Sequence, residues 1–134
     1  MPNQYPPALH QMVSALVAGE LPMAVRRRSF FVNDVPSEFY VSVDTHILAS
    51  VIRELLHTIV SHTANSCIRI SANSYGPIIL MQVKDSNSFN YHGIYEDLQP
   101  VQQIAGRVGG YVSITSKRED MTTITFSFPN QPAA

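Results

Sequence analysis

The hydrophobic residues of the chain follow a helical period in some segments and a strand-like pattern in others. Near the start, a helical spacing links Leu9, Met12, Val13, Leu16 and Val17. Gly19 and Pro22 come next, and because both residue types interrupt helices we expect the first helix to end there. Two apolar runs rich in aromatics and valine follow, at residues 29–32 and 39–43. An Asn-Asp-Val-Pro stretch separates them, so they predict a β-hairpin.

The middle of the chain carries the strongest helical pattern. Asp44 precedes it, and its carboxylate is suited to accept hydrogen bonds from the free amides of a first turn. A broad stripe at the helical period comprises Ile47, Leu48, Val51, Ile52, Leu55, Leu56, Ile59 and Val60. The opposite side comprises Arg53, Glu54, His57, Thr58 and Ser61. We expect one helix with a buried stripe and a polar side.

The second half of the chain predicts two further hairpins. One joins residues 68–72 to 78–83 around a turn at 74–77, and the other joins residues 111–116 to 122–128. In both cases short runs of β-branched and aromatic residues flank a turn, which is the local signature of paired strands.

A third helix is predicted between these two hairpins, at residues 98–108, with Gly109 and Gly110 ending it. Residues 89–97 carry the weakest pattern and are expected to form an irregular connection. Helix and hairpin therefore alternate three times along the chain. This order predicts a two-layer α/β sandwich of the α+β type, with helices on one face of a mixed, mostly antiparallel sheet.

The length of 134 residues fits one domain with a substantial core. We expect that domain at residues 8–129, with a loose proline-rich segment at 1–7 and a tail at 130–134. No apolar run reaches the ~18 residues needed to span a bilayer, and no signal peptide is visible. The sequence therefore predicts a cytoplasmic protein that does not enter a membrane.

The net charge of −1 argues against a nucleic-acid partner, because nucleic-acid binding requires a basic surface. One basic cluster, at residues 26–28, directly precedes an apolar run, and we interpret it as a solvated strand entrance rather than a phosphate site. Charged residues make up 14% of the chain, below the roughly 25% of an average domain. A weakly charged surface favours a covered face, with a homodimer or another protein as the partner.

Zinc and haem are not expected as cofactors. Cys67 is the single cysteine, which excludes an intramolecular disulfide and a cysteine-built zinc site. His57 and His62 are five residues apart on a helix and do not converge on one metal ion.

Three segments of the chain resemble motifs of one large family. Residues 44–63, with Glu-Leu-Leu-His-Thr-Ile-Val-Ser-His-Thr at their end, resemble the helix that carries N-L-L-x-N-A-x-K-x-T in sensor histidine kinases. Residues 122–129 resemble the kinase ending G-T-x-F-x-F-x-L-P, and residues 104–114 resemble the last kinase helix, which ends in Gly-Gly before a strand. The resemblance is to the ATP-binding domain shared by sensor histidine kinases, DNA gyrase and related chaperones, known as the Bergerat fold. It covers about residues 9–129.

The resemblance implies ATP and Mg²⁺ as cofactors and assigns roles to particular residues. Glu54 matches the general base of the ATPase branches, and Thr58 stands where an asparagine binds magnesium. Ser61 stands where a lysine contacts phosphate, and Asp85 matches the aspartate that accepts the adenine amino group. The remaining residues expected at the nucleotide are His62, Asn87 and Thr122.

Several family features are missing from the chain. The D-x-G-x-G box reads Asp-Ser-Asn-Ser-Phe at residues 85–89, so both glycines are gone and Phe89 would crowd the pocket floor. The flexible lid is reduced to residues 90–98, with Gly93 as the one glycine. Ser61 removes a positive charge from the phosphate region. These departures imply weak or absent ATP binding.

The leading hypothesis is therefore a degenerate histidine-kinase-like ATPase domain of two-component-type signalling that acts as a protein-interaction or regulatory module. A kinase, a response regulator or a similar signalling protein would be its partner, and Phe89, Tyr91 and Tyr95 near the former lid would suit such a contact. The alternative is a functional ATP- and Mg²⁺-dependent kinase, of the histidine kinase or anti-sigma-factor type, that uses Glu54, Thr58 and Asp85. A phosphotransfer adaptor would need a helical hairpin that the sequence lacks, and an unrelated two-layer domain remains the simplest alternative.

Overall fold

The computed structural model describes residues 8–87, 90–117 and 121–130. Within them it contains the helices α1 (Leu9–Arg26), α2 (Thr45–Ser61) and α3 (Tyr91–Gly106). The strands are β1 (Phe30–Asn33), β2 (Cys67–Tyr75), β3 (Ile78–Asp85), β4 (Tyr111–Lys117) and β5 (Met121–Pro129). None of the helices in the described part of the chain has the length and hydrophobicity to span a membrane.

The strands form one mixed sheet in the order β1-β2-β3-β5-β4. β1 pairs with β2 in parallel, and the other neighbouring strands are antiparallel. β3 is the central strand, and its last residue, Asp85, lies between Ile68 of β2 and Thr122 of β5. The predicted two-layer α/β sandwich with a mostly antiparallel sheet is confirmed.

One face of the sheet is buried under the helices, and the alternation along β5 shows it most clearly. Thr122, Ile124, Phe126 and Phe128 are buried, whereas the residues between them are half-buried. The rings of Phe126 and Phe128 lie 4.8 Å apart between centroids. Because side chains alternate across a strand, this pattern leaves the other sheet face without helices.

The predicted end of α1 is wrong, since the helix continues through Gly19 and Pro22 to Arg26. A proline removes one backbone hydrogen bond and crowds the preceding turn. Here Ala24 is buried and Met23 packs against the core, so the last turn of the helix is stabilised by tertiary packing. That packing outweighs the local helix-breaking signal.

The first predicted hairpin is also wrong. β1 pairs with β2 rather than with residues 39–43, which form no strand and contribute one isolated bridge between Tyr40 and Ala8. Val41 and Val43 are nevertheless buried. The apolar pattern in this segment therefore indicates burial in the core. A local pattern alone does not show whether a buried segment forms hydrogen bonds with a neighbouring strand.

The other two hairpins are confirmed, as β2–β3 and β4–β5. In the first, the strands run up to Tyr75 and begin again at Ile78, so the turn is tighter than predicted. Gly76 adopts a positive φ of 61°, which a glycine permits without strain. Asn130, which follows β5, is hydrogen-bonded to the β2–β3 turn, because its amide donates to the Pro77 carbonyl at 2.8 Å.

The third helix begins earlier than predicted, at Tyr91, in the segment expected to be irregular. Asn90 caps it, and its side-chain oxygen accepts a hydrogen bond from the Gly93 amide at 3.0 Å. Ile94 and Leu98 continue the buried stripe toward this start. The first turns of α3 contain few apolar residues, so the helical period is hard to recognise there from sequence.

Truncation of the central aromatic should test the assigned core. Phe126 is fully buried, so we expect Phe126→Ala to lower the free energy of unfolding by about 3–5 kcal/mol through lost burial and a residual cavity. Phe30→Ala is the matched control, because Phe30 is 58% exposed and its truncation should cost about 0.5 kcal/mol or less. Urea denaturation measures both. Equal losses for the two variants would contradict the assigned sheet faces.

Candidate functional site

Buried polar side chains connect into one network at the end of the sheet where β3 finishes. The Ser66 hydroxyl donates to Oδ1 of Asp85, and the Ser66 amide donates to the Ser29 hydroxyl at 3.1 Å. On the other side, the Asn87 amide donates to Oδ1 of Asp85 at 3.2 Å, and the Thr63 hydroxyl donates to the Asn87 carbonyl at 3.0 Å. Polar groups taken out of water must be paired in this way, so their concentration marks the candidate site.

Asp85 is the centre of this network and is only 1% exposed. Its Oδ1 atom accepts the two hydrogen bonds described above. Its Oδ2 atom is buried and has no hydrogen-bond partner among the described residues. Since a buried carboxylate oxygen without a donor is costly, this atom is suited to accept a hydrogen bond from a bound group.

Thr122 is the second sequence-predicted residue at this end. It is 2% exposed and lies directly across from Asp85 in the β3–β5 register. Asn87 is exposed, but its side chain donates to the Ala64 carbonyl and so joins the turn after β3 to the loop after α2. The structure therefore brings Asp85, Asn87 and Thr122 together around one turn.

The polar side of α2 is narrower than predicted, because one of its expected residues is buried. Glu54 is exposed, whereas Thr58, one turn later, is only 5% exposed. α2 packs against α1 on one side and α3 on the other, which widens its buried surface beyond the apolar stripe. Among the described residues, no group of three or more His, Cys, Asp or Glu side chains is positioned to hold a metal ion.

Ser61 and His62 are both engaged within the protein. The Ser61 hydroxyl donates to the His57 carbonyl one turn earlier, at 2.6 Å. His62 Nε2 lies 2.8 Å from a carboxylate oxygen of Asp97, and its Nδ1 lies 3.2 Å from Nδ2 of Asn90. Since the Asn90 amide donates to Nδ1, the neutral ring carries its proton on Nε2 and donates it to Asp97. We call His62, Asn90 and Asp97 the α2–α3 clasp.

The first turn of α3 approaches His62 closely. A Cβ atom added at Gly93 would lie 2.4 Å from Nδ2 of Asn90 and 2.7 Å from Cε1 of His62, so a larger residue would displace these side chains. The Gly93 amide, a free first-turn donor in an uncapped helix, is already bonded to the Asn90 side chain. One first-turn amide of α3 is thus occupied by its own cap, and His62 of α2 lies against the same turn.

Sequence reasoning missed several residues of this region. Ser66 gave no signal beyond preceding a strand, and Asp97 lay in the segment expected to be irregular. Phe89, which we expected on the pocket floor, lies outside the described residues together with Ser88. A further missed contact joins His57 Nδ1 to Glu20 of α1 at 2.7 Å.

Comparisons with known proteins address the fold. No protein-family model matches the sequence, and no curated protein matches it significantly. Among solved structures, the Acinetobacter baumannii histidine kinase AdeS matches with a TM-score of 0.80 at 12% identity, covering 98% of this chain and 70% of that one. The nucleotide-free catalytic domain of histidine kinase ThkA matches with a TM-score of 0.78 at 13% identity, covering 92% of both chains.

The fold is that of histidine kinase catalytic domains. Full-length ShkA in complex with AMPPNP also matches, with a TM-score of 0.76 at 15% identity, covering all of this chain and 33% of that chain. ThkA is further matched in a complex with the response regulator protein TrrA, at 17% identity and a TM-score of 0.73, over 93% of this chain and 41% of that one. Identities this low establish a shared fold and leave the activity to be argued from the site.

Removal of the clasp should loosen the start of α3. In His62→Ala, the first turn of α3 loses its contact to α2, and we expect hydrogen exchange of the amides at residues 93–98 to accelerate about fivefold, the equivalent of ~1 kcal/mol. His92→Ala is the matched control, because His92 is exposed and lies in the first turn of α3 itself. Exchange that is unchanged in His62→Ala, or equally raised in the control, would contradict the clasp.

Proposed function

We propose that this chain is a regulatory protein-interaction module built on the histidine kinase catalytic fold, and that it does not transfer phosphoryl groups. The observation that carries the proposal is the α2–α3 clasp. The resemblance places Ser61 where a lysine contacts phosphate and His62 at the nucleotide, yet both side chains are bonded inside the protein. Helix N-termini bind anions through free amides, and at the start of α3 the Gly93 amide is bonded to the Asn90 side chain.

The charges around this region also disfavour a triphosphate. Glu54 and Asp97 are carboxylates on the two helices that flank it, and Ser61 replaces an expected cation. Phosphoryl transfer depends on cations and backbone amides that stabilise the developing charge. The residues present therefore do not fit a magnesium triphosphate, and no catalytic step through that group follows from this site.

The proposed interaction surface lies along α3 and β4. Tyr91, Tyr95 and Tyr111 are 41%, 47% and 63% exposed, so two packed elements together present three solvent-facing tyrosines. Tyrosine is enriched where proteins bind one another, because its ring offers a large apolar area and its hydroxyl a hydrogen bond.

A cavity of about 180 Å³ lies between these elements, with Tyr95 and Tyr111 among its lining residues. None of its lining residues is charged. A side chain of a partner could enter this cavity without leaving a charge buried and unpaired. A response regulator or a kinase is the proposed partner class, in keeping with the ThkA complex with TrrA, and a homodimer is the alternative.

A working ATP-dependent kinase is the second candidate function. The observation that favours it is the buried Oδ2 atom of Asp85, which is suited to the amino group of adenine. In that case Glu54 would act as the base and Thr58 would ligate magnesium. Glu54 is exposed and available, whereas the 5% exposure of Thr58 leaves little room for a hydrated cation.

An assay for phosphoryl transfer separates the two functions. We expect the purified protein, incubated with γ-labelled ATP and Mg²⁺, to show no autophosphorylation and no hydrolysis above buffer, because Ser61 stands in place of the cation and its hydroxyl is bonded within the protein. Glu54→Gln should behave identically to the wild type. Hydrolysis that disappears in Glu54→Gln would instead establish the kinase function and overturn the proposal.

The interaction function predicts binding to a signalling protein through the tyrosines. Response regulators and histidine kinases from the same genome, purified one by one, should include at least one that binds the immobilised protein. Tyr95→Ala and Tyr111→Ala should each weaken that binding about tenfold or more, as expected of central interface residues. Tyr75→Ala is the control, since Tyr75 is equally exposed, at 63%, but lies at the β2–β3 turn. Equal losses in all three variants would show that the assigned surface is wrong.

A further inference from the structure

The strand β4 forms one edge of the sheet, and its outer side faces a groove beside α3. Because β4 is last in the order β1-β2-β3-β5-β4, one side of its backbone pairs with β5 and the other pairs with no strand of the described chain. In an antiparallel pair, the backbone groups of successive residues point alternately toward the partner strand and away from it. The outward groups of such an edge are where another polypeptide can add a strand.

The side chain of Gln102, in α3, shows which groups of β4 point outward. Its Oε1 atom accepts a hydrogen bond from the Val112 amide at 3.0 Å, and its Nε2 atom donates to the Val112 carbonyl. Both backbone groups of Val112 therefore point away from β5, and the alternation places those of Ile114 on the same outer side. The Tyr91 hydroxyl lies 3.5 Å from the Ile114 carbonyl oxygen, which agrees with this direction.

The Gln102 amide reproduces the contact that a neighbouring strand would make. One amide group that both donates to and accepts from a single residue matches a hydrogen-bonded pair of an antiparallel sheet. The edge at Val112 is thus closed by a side chain that imitates a peptide group. We propose that an extended segment of the partner protein adds to β4 as a further strand and displaces Gln102. This inference rests on the proposed function, since it states how the surface along α3 and β4 holds its partner.

The exchange of Gln102 for a strand costs little free energy. The two hydrogen bonds lost at Val112 are replaced by two from the incoming backbone, while the released amide of Gln102 is hydrated. The gain comes from backbone pairing at Ile114 and from an apolar side chain that enters the cavity of about 180 Å³. Leu98 and Ile114 line that cavity, and no charged residue does. The partner segment therefore carries an apolar residue on the side that faces α3.

A separate segment fits this edge better than a second copy of the whole chain. Among the strands, α3 packs mainly on β4, so the helix lies at the rim of the sheet. Paired strands lie about 4.8 Å apart, whereas packed helices need about 8–10 Å between their axes. Two copies joined through β4 would bring their α3 helices closer than this spacing allows. An added segment brings no helix into the groove.

A synthetic peptide with the sequence of Tyr111–Lys117 and blocked ends tests strand addition on the whole chain. It offers valine and isoleucine on one side and mostly polar residues on the other. In an NMR titration, we expect Gln102→Ala to bind this peptide about fivefold or more tightly than the wild type does, because the edge is open. Bound peptide should also protect the Ile114 amide from hydrogen exchange. Gln99→Ala is the matched control, since Gln99 lines the same cavity but donates to the Tyr95 carbonyl of its own helix.

A second variant and a second peptide guard against indirect effects. Gln102→Glu keeps the length of the side chain and should show the same gain, because its carboxylate repels the Val112 carbonyl and cannot donate to it. The same peptide N-methylated at every residue has no amide donors and should not bind. Thermal melting confirms that each variant is folded.

Each contrary result has its own meaning. Equal affinity of the wild type and Gln102→Ala would overturn the displacement of Gln102, and equal binding of the methylated peptide would rule out strand addition. Silence of all folded variants at millimolar peptide would overturn the whole inference. Dimerisation of Gln102→Ala in sedimentation, without a gain for the peptide, would show that a second copy is the occupant instead. The proposed function fails separately, if no signalling protein binds the chain while the strand peptide still does.

Discussion

The hydrogen bond between the Ser66 hydroxyl and the Asp85 carboxylate is the contact on which this end of the molecule depends. It joins the start of β2 to the end of β3, and the same carboxylate oxygen anchors the turn that follows through the Asn87 amide. A carboxylate that is 1% exposed needs such partners, because burial without them would cost several kcal/mol. The turn that leads to α3 therefore starts from a fixed point.

β3 ends at Asp85 and α3 begins at Tyr91, so the connection between them is short. The short connection determines whether this region has room for a flexible loop. A long connection would leave room for a flexible lid, which is the device that closes over phosphates in many nucleotide sites. Here Asn90 caps α3 and bonds to His62, and Gly93 lets the helix approach that ring closely. The space beside α2 is thereby filled by the protein's own helix, while Oδ2 of Asp85 is left without a hydrogen-bond partner among the described residues.

The similarity to AdeS and ThkA at 12% and 13% identity shows how little sequence this architecture requires. The buried sheet face needs apolar residues at alternate positions of the strands, and many combinations of valine, isoleucine and phenylalanine satisfy it. Site residues are less interchangeable, since each needs a particular donor or acceptor. A shared fold therefore does not fix the chemistry of the site, and function has to be argued from the site.

The sequence alone determined the elements whose signal is local. The helical stripe of α2 with its cap at Asp44, and the β2–β3 and β4–β5 hairpins, follow from periodicity and turn residues. Asp85 and Thr122 were also named as site candidates from their motifs. Tertiary structure decided the rest: the parallel pairing of β1 with β2, the continuation of α1 past Pro22, and the clasp between His62 and Asp97. These features depend on partners distant in sequence, whose contact energies outweigh local propensity and leave no periodic trace in the chain.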